Sequence, residues 1–112
     1  MNGWVDSHCH IDGDDDPAGA VADAAAAGVD TLVVVGCDRA SSLAALGVAA
    51  AHHDVHATVG LHPHEARFGV ATIADLIPTS INGVRPVTIG EYGLDYHYDH
   101  SPRVDQRAAF AA

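Results

Sequence analysis

Residues 31–60 read TLVVVGCDRASSLAALGVAAAHHDVHATVG. The opening run, Thr31 to Gly36, is apolar almost throughout, as is typical of a strand buried on both faces. An alanine-rich segment follows and predicts a helix from Ser41, a favourable N-cap residue, to His52. Val55 to Leu61 predicts another strand. Strand, helix and strand in this order indicate a parallel pair joined by a right-handed crossover.

The same alternation continues on both sides of this stretch. Upstream, we predict a strand over residues 4–10 and a helix from Pro17 to about Ala27, ended by Gly28. Downstream, we predict a short helix over 72–77, a strand over 86–90 and a helix over 104–112. The order βαβαβαβα indicates an α/β fold. At about 28 residues per unit, eight units would make a (β/α)8 TIM-type barrel of about 220 residues.

Four βα units cannot close such a barrel, because two sheet edges would stay open. The sequence also stops inside an apolar helix, at residues 108–112, without a capping residue. We therefore expect residues 1–112 to be the N-terminal half of a single barrel domain, truncated after four βα units. The alternative is a complete small four-stranded α/β domain.

Composition narrows the classes of function. Fifteen acidic and five basic residues give a formal net charge of −10, which argues against nucleic-acid binding by a broad basic surface. A site that holds phosphates through bound divalent cations is compatible with this charge. Without a signal-peptide pattern or a membrane-length apolar run, we expect a cytoplasmic protein that does not bind membranes. We expect Cys9 and Cys37 to be small buried residues rather than a disulfide.

Two histidines stand at the end of the first predicted strand. His8 and His10 are separated by one residue, so on a strand their side chains point to one face and Cys9 to the other. Two imidazoles at the C-terminal end of a barrel strand are suitable metal ligands. Asp6 shares their parity and could orient one imidazole. Two histidines on a polar strand end, with no metal, are the alternative.

A carboxylate and two more imidazoles follow later strands. Glu91 shares a face with Val87 and Ile89, and a carboxylate buried among apolar residues is costly unless it is paired or bound to metal. Glu91 is therefore suited to bridge two cations that activate a water; capping a helix or pairing with an arginine are its alternatives. His62 and His64, after the third strand, could contact a substrate phosphate, shuttle a proton or be structural.

Three segments together resemble the TatD-related deoxyribonuclease family of metal-dependent hydrolases. The resemblance implies a (β/α) barrel with two divalent metal ions that cleaves phosphodiester bonds of DNA. It implies that His8 and His10 bind one metal and that Glu91 bridges both, and we expect Glu91 and His62 to be catalytic. The family completes its site with two histidines and an aspartate from later strands, outside residues 1–112. The matching segments are 5–12 (VDSHCHID), 60–64 (GLHPH) and 89–96 (IGEYGLDY), and Gln106, Arg107 and Phe110 fit as well.

Other functions stay open. An amidohydrolase-type barrel also begins with paired histidines, but many of its members bridge their metals with a carbamylated lysine, and this chain has no lysine. An aminoacyl-tRNA ester could be hydrolysed with the same metals. An inactive metal-binding fragment, or a subunit that completes its barrel by self-association, is the alternative outside the enzymes. We predict Mg²⁺, Mn²⁺ or Zn²⁺ as the metals, DNA as the substrate and no protein partner.

Overall fold

The computed structural model describes residues 3–112. Within them, four parallel strands lie in the order β1-β2-β3-β4 and alternate with helices, which confirms the predicted α/β pattern. The strands are β1 (Trp4–Cys9), β2 (Val29–Val35), β3 (Val55–Val59) and β4 (Thr88–Ile89). The α-helices are α1 (Pro17–Ala26), α2 (Arg39–Ala51), α3 (Ala71–Ala74) and α4 (Arg103–Ala111), and 3₁₀ helices span Ile11–Gly13 and Pro63–Phe68. None of the helices in this part of the chain is long and apolar enough to cross a bilayer.

The four strands curl into a half-barrel whose core lies between the sheet and α2. Leu46 of α2 is fully buried, and it belongs to one cluster with Val34 of β2 and Val59 of β3. The two edge strands are much more open, since Val5 of β1 is 60% exposed and Ile89 of β4 is 46% exposed. The core therefore packs against the central strands β2 and β3, whereas the edge strands β1 and β4 are largely exposed.

Segment boundaries differ from the predictions where local contacts replace the sheet ladder. β4 covers two residues instead of 86–90, because only Thr88 and Ile89 pair with β3. β3 ends at Val59 instead of Leu61, since the His62 N–H donates to Cys37 O (2.7 Å), outside the ladder. The predicted helix over 72–77 is a single turn, preceded by the 3₁₀ helix that Pro63 opens.

The N-terminus of α2 also needs a correction. Its N-cap is Asp38, whose Oδ1 accepts the backbone N–H of Ser41 (2.8 Å). The Ser41 hydroxyl in turn accepts the backbone N–H of Asp38 (3.0 Å). The two residues thus form a capping box. The prediction that Ser41 is the N-cap is wrong, because Asp38, three residues earlier, accepts the free N–H of Ser41 with its carboxylate.

Replacing Asp38 by alanine is expected to lower the free energy of unfolding by about 0.5–2 kcal/mol at pH 7. Hydrogen bonds from the hydroxyl and the N–H of Ser41 hold the pKa of Asp38 below its usual value. The carboxylate therefore stabilises the fold above the ordinary pKa of about 3.9. That contribution is lost as the pH falls through the lower folded pKa.

Urea unfolding followed by circular dichroism at pH 7 and at pH 2 measures this effect. The gap between wild type and Asp38→Ala should shrink at the lower pH. Asp38→Asn is the matched control, because it keeps an accepting oxygen and should recover most of the stability at pH 7. Equal stability of wild type and Asp38→Ala at pH 7 would contradict the capping role.

Candidate metal site

The paired histidines lie where β1 leaves the sheet. The register between β1 and β2 slips between Asp6 and Cys9, an irregularity of the kind that re-aims side chains. The Nε2 atoms of His8 and His10 come within 3.2 Å of each other, whereas Cys9 packs against the core. Asp6 Oδ1 accepts the backbone N–H of His8 (3.0 Å). The prediction that Asp6 orients an imidazole is therefore wrong, since its carboxylate holds the backbone instead.

Backbone contacts across three strand ends bring Glu91 to these histidines. The carbonyl of Gly90 accepts a hydrogen bond from the buried Thr58 hydroxyl (2.6 Å). One residue later, the Glu91 N–H donates to Gly36 O, at the end of β2 (3.3 Å). The chain crosses Gly60 on the way, so closely that a Cβ there would lie 2.3 Å from Gly90 O.

Three donor atoms converge at this rim. Glu91 Oε2 is 3.4 Å from His8 Nε2 and 4.0 Å from His10 Nε2, and all three donors lie within 4.8 Å of one another. Two ligands bound tetrahedrally at about 2.1 Å from one ion are about 3.4 Å apart. The donor set therefore fits one divalent cation, with the Glu91–His10 separation slightly long.

A hydrogen bond outside this set orients His10. Its Nδ1 is 3.1 Å from Val35 O, the last residue of β2. Because a carbonyl can only accept, Nδ1 carries the proton and Nε2 presents its lone pair toward the donor set. Metal-bound imidazoles are commonly held by such a contact through the other ring nitrogen.

The site is an open rim rather than a buried pocket. The Glu91 side chain is 37% exposed and that of His8 is 51% exposed. The prediction of a carboxylate buried among apolar residues is wrong, because Val87 and Ile89 on the same face are themselves about half exposed. Carboxylate oxygen and imidazole nitrogen nevertheless give the site the ligand chemistry of a divalent-metal centre.

His62 reaches the same carboxylate from the end of β3. Its Nε2 is 3.5 Å from Glu91 Oε1, and its Nδ1 accepts the backbone N–H of His64 (3.1 Å). Burial lowers the pKa of His62, and this outweighs the opposing effect of Glu91. The neutral ring therefore carries its proton on Nε2 and can donate it toward the rim.

His64 points the other way and pairs with an aspartate. Its Nε2 is 2.5 Å from Asp95 Oδ2. A hydrogen bond from the backbone N–H of Tyr98 is the largest cause that lowers the pKa of Asp95 to about 2, and the hydrogen bond with His64 is the second. Asp95 is in turn held by buried Gln106, whose Oε1 accepts the Asp95 N–H (2.7 Å). The sequence pattern does not indicate that His64 pairs with Asp95, although Asp95 and Gln106 both lie in segments that resemble the family.

Cys37 is less buried than predicted, and Arg107 lies at the surface. Cys37 is half-buried, not fully buried, and its Sγ is 4.0 Å from Glu91 Oε2. Burial is the main cause that raises the pKa of the Cys37 thiol to about 11, and the negative charge of Glu91 is the second. The thiol is therefore neutral at pH 7. Arg107 is exposed and lies 3.4 Å from the Tyr96 hydroxyl. Neither residue belongs to the three-donor set.

Comparison with known proteins agrees with this fold. The sequence model of the family described as TatD related DNase matches residues 5–112. A Klebsiella pneumoniae (strain 342) protein described as the 3'-5' ssDNA/RNA exonuclease TatD is 35% identical over 92 residues. The protein of the same description from Edwardsiella piscicida is 38% identical over 94 residues. A Bacillus subtilis (strain 168) protein described as the uncharacterized metal-dependent hydrolase YabD is 33% identical over 112 residues.

These relatives are longer than this chain. The alignments cover 82% of the chain but 35% and 36% of the two exonucleases, and 94% of the chain but 42% of YabD. The crystal structure of YjjV, a TatD homologue from Escherichia coli K12, superposes with a TM-score of 0.80 at 25% identity. That superposition covers 96% of this chain and 44% of YjjV. The chain belongs to the family of TatD-related DNases.

Proposed function

We propose that residues 1–112 form the N-terminal half of a barrel domain in a metal-dependent hydrolase that cleaves phosphodiester bonds of DNA. The observation that carries the proposal is the convergence of His8, His10 and Glu91 at the rim, with donor atoms within 4.8 Å of one another. His8 and His10 would hold one divalent ion and Glu91 would bridge two. Further ligands would come from later strands, as the resemblance to the family implies.

Bound divalent ions would supply a nucleophilic water and stabilise charge on the phosphate. This chain's own residues would do the rest. His10 is held by Val35 O with its Nε2 directed toward the other two donor atoms, and His62 presents an Nε2–H next to Glu91. A donor in that position is suited to contact a phosphate oxygen and orient the scissile group. His62 is therefore proposed as a catalytic residue that acts by hydrogen bonding.

Nucleic acid is the substrate class that the comparisons favour. Two relatives are described as exonucleases of single-stranded DNA and RNA, which adds RNA to the alternative substrates beside the aminoacyl-tRNA ester named above. The absence of lysine weakens the amidohydrolase alternative. An inactive metal-binding fragment is the remaining candidate, and activity of the complete protein separates it from the enzyme.

The test is DNA hydrolysis by the protein expressed from its complete reading frame. We expect degradation of single-stranded DNA with Mg²⁺ or Mn²⁺, loss of activity in excess EDTA, and recovery when either ion is added back. Metal content of the purified protein should fall on dialysis against the chelator. Activity that persists in EDTA after the metal has been removed would overturn the proposal.

A further inference from the structure

The loop between β4 and α4 carries exposed rings beside the candidate metal site. Tyr98 is 64% exposed, and its ring lies parallel to that of His100, with 1° between the planes and 5.6 Å between the centroids. Both rings meet His64 edge-on. His64 packs against His62 with a centroid distance of 4.2 Å, and His62 faces Glu91. Two ring contacts thus separate the exposed pair from the residue that faces the carboxylate.

Buried polar contacts fix this loop in place. Gln106, which is 1% exposed, donates from Nε2 to the carbonyls of Asp95 (3.0 Å) and Ser101 (2.9 Å). Asp95 Oδ1 accepts the backbone N–H of Tyr98 (3.1 Å). The Ser101 hydroxyl, which is fully buried, donates to His64 O (2.7 Å). Both ends of the loop are therefore anchored while its rings stay in solvent.

The sharp turn between the two rings is also held. Asp99 lies in the left-handed region with φ 51°, where aspartate is one of the better tolerated residues. Its two carboxylate oxygens accept hydrogen bonds from Nε and Nη2 of Arg103 (2.8 and 2.7 Å). The turn places the flanking rings of Tyr98 and His100 parallel to each other, and the Arg103 charge is already paired with Asp99.

A fixed pair of exposed flat rings is suited to a planar ligand. Ordering the rings in advance lowers the entropy cost of binding, and bases of single-stranded nucleic acids stack on such rings whatever their sequence. With a net charge of −10, the chain gains little from attraction to phosphates. Stacking avoids that difficulty, because a base is uncharged. A base within a duplex is already stacked and paired, so the rings select an unpaired strand.

We propose that Tyr98, together with His100, is a stacking platform for an unpaired base of the nucleic-acid strand whose phosphate lies at the Glu91 rim. The inference rests on the proposed function, since it names the part of the same substrate that lies beside the metal site. Tyr98 acts as a substrate-binding residue, and the tyrosine ring rather than its hydroxyl carries the effect.

The test measures binding without turnover. Fluorescence anisotropy of a short fluorescein-labelled oligothymidylate in EDTA gives the Kd for wild type, Tyr98→Ala and Tyr98→Phe, in the protein from its complete reading frame. We expect Tyr98→Ala to raise Kd about 10-fold, Tyr98→Phe to match wild type, and His100→Ala to raise Kd by a smaller factor. All four proteins should bind an abasic oligonucleotide of equal length equally weakly.

Unchanged Kd in Tyr98→Ala, or an equal loss on the abasic oligonucleotide, would overturn the platform. Because Tyr98 and His100 are exposed, melting temperatures should stay at the wild-type value in all variants. DNA hydrolysis with Mn²⁺ is measured separately. If the protein cleaves DNA but Kd does not depend on Tyr98, the platform alone is overturned. If Kd depends on Tyr98 but no phosphodiester is cleaved, the proposed function alone is overturned.

Discussion

Glu91→Gln is expected to lower kcat/KM for single-stranded DNA by at least about 10³-fold, which corresponds to about 4 kcal/mol of transition-state stabilisation. The amide keeps the shape of the side chain but removes the charge that lies 3.4 Å from His8 Nε2 and 3.5 Å from His62 Nε2. One substitution would thus weaken the proposed metal ligand and the partner of the proposed phosphate-binding histidine. Steady-state kinetics with Mg²⁺ and with Mn²⁺ measure the effect.

Glu65→Gln is the matched control for this substitution. Glu65 is the chain's other glutamate, and it lies in the 3₁₀ helix after β3, outside the three-donor set. Its variant should keep kcat/KM within a few-fold of wild type. Metal titration by calorimetry should show weaker binding in Glu91→Gln and unchanged binding in Glu65→Gln. Wild-type turnover by Glu91→Gln would exclude the bridging role.

The sequence predicts the strand and helix order because apolar periodicity is a local property. The apolar run at residues 31–35 and the alanine-rich α2 are one strand–helix unit, and repetition of such units indicates an α/β fold with a parallel sheet. Two histidines separated by one residue lie on one side of a strand by geometry alone. Parallel strands then bring the ends of β1 and β4 to the same rim. The general location of the candidate site therefore follows from sequence.

Details of the site depend on contacts between distant residues, which periodicity cannot show. The register slip in β1 turns the Asp6 carboxylate onto the His8 backbone. Glu91 follows β4, which lies at an edge of the described sheet, and its side chain is 37% exposed. Gln106 is buried under the loop between β4 and α4, and its Nε2 donates to two carbonyls of that loop. Each of these depends on tertiary packing, so motif spacing could identify the residues but not their partners.

Glycines at three strand ends show how the fold and the candidate site depend on each other. Gly36, Gly60 and Gly90 each follow a strand of the sheet directly. Gly36 accepts the Glu91 N–H, and Gly90 accepts the Thr58 hydroxyl. The Glu91 backbone can reach β2 because Gly60 of the intervening strand has no side chain. Loss of that space should therefore affect the carboxylate before it affects the core.

Gly60→Ala tests this dependence. A Cβ at Gly60 would lie 2.3 Å from Gly90 O, 2.4 Å from Gly90 C and 2.7 Å from Glu91 N. These are backbone atoms, so rotating a side chain cannot relieve the contact, and the Glu91 segment must shift by about 1 Å. A displacement of that size at reacting groups can lower the rate about 10²-fold. Overpacking is expected to lower the free energy of unfolding by about 1–3 kcal/mol.

Gly47→Ala provides the matched control, because Gly47 lies on the exposed side of α2 with no atom within 4 Å of an added Cβ. Alanine there should raise the free energy of unfolding by about 0.5–1 kcal/mol, since it is the better helix former, and leave kcat/KM unchanged. Thermal unfolding and DNA hydrolysis by both variants separate general destabilisation from displacement of Glu91. A Gly60→Ala protein that folds and keeps full activity would show that the carboxylate's position does not depend on the crossing over Gly60.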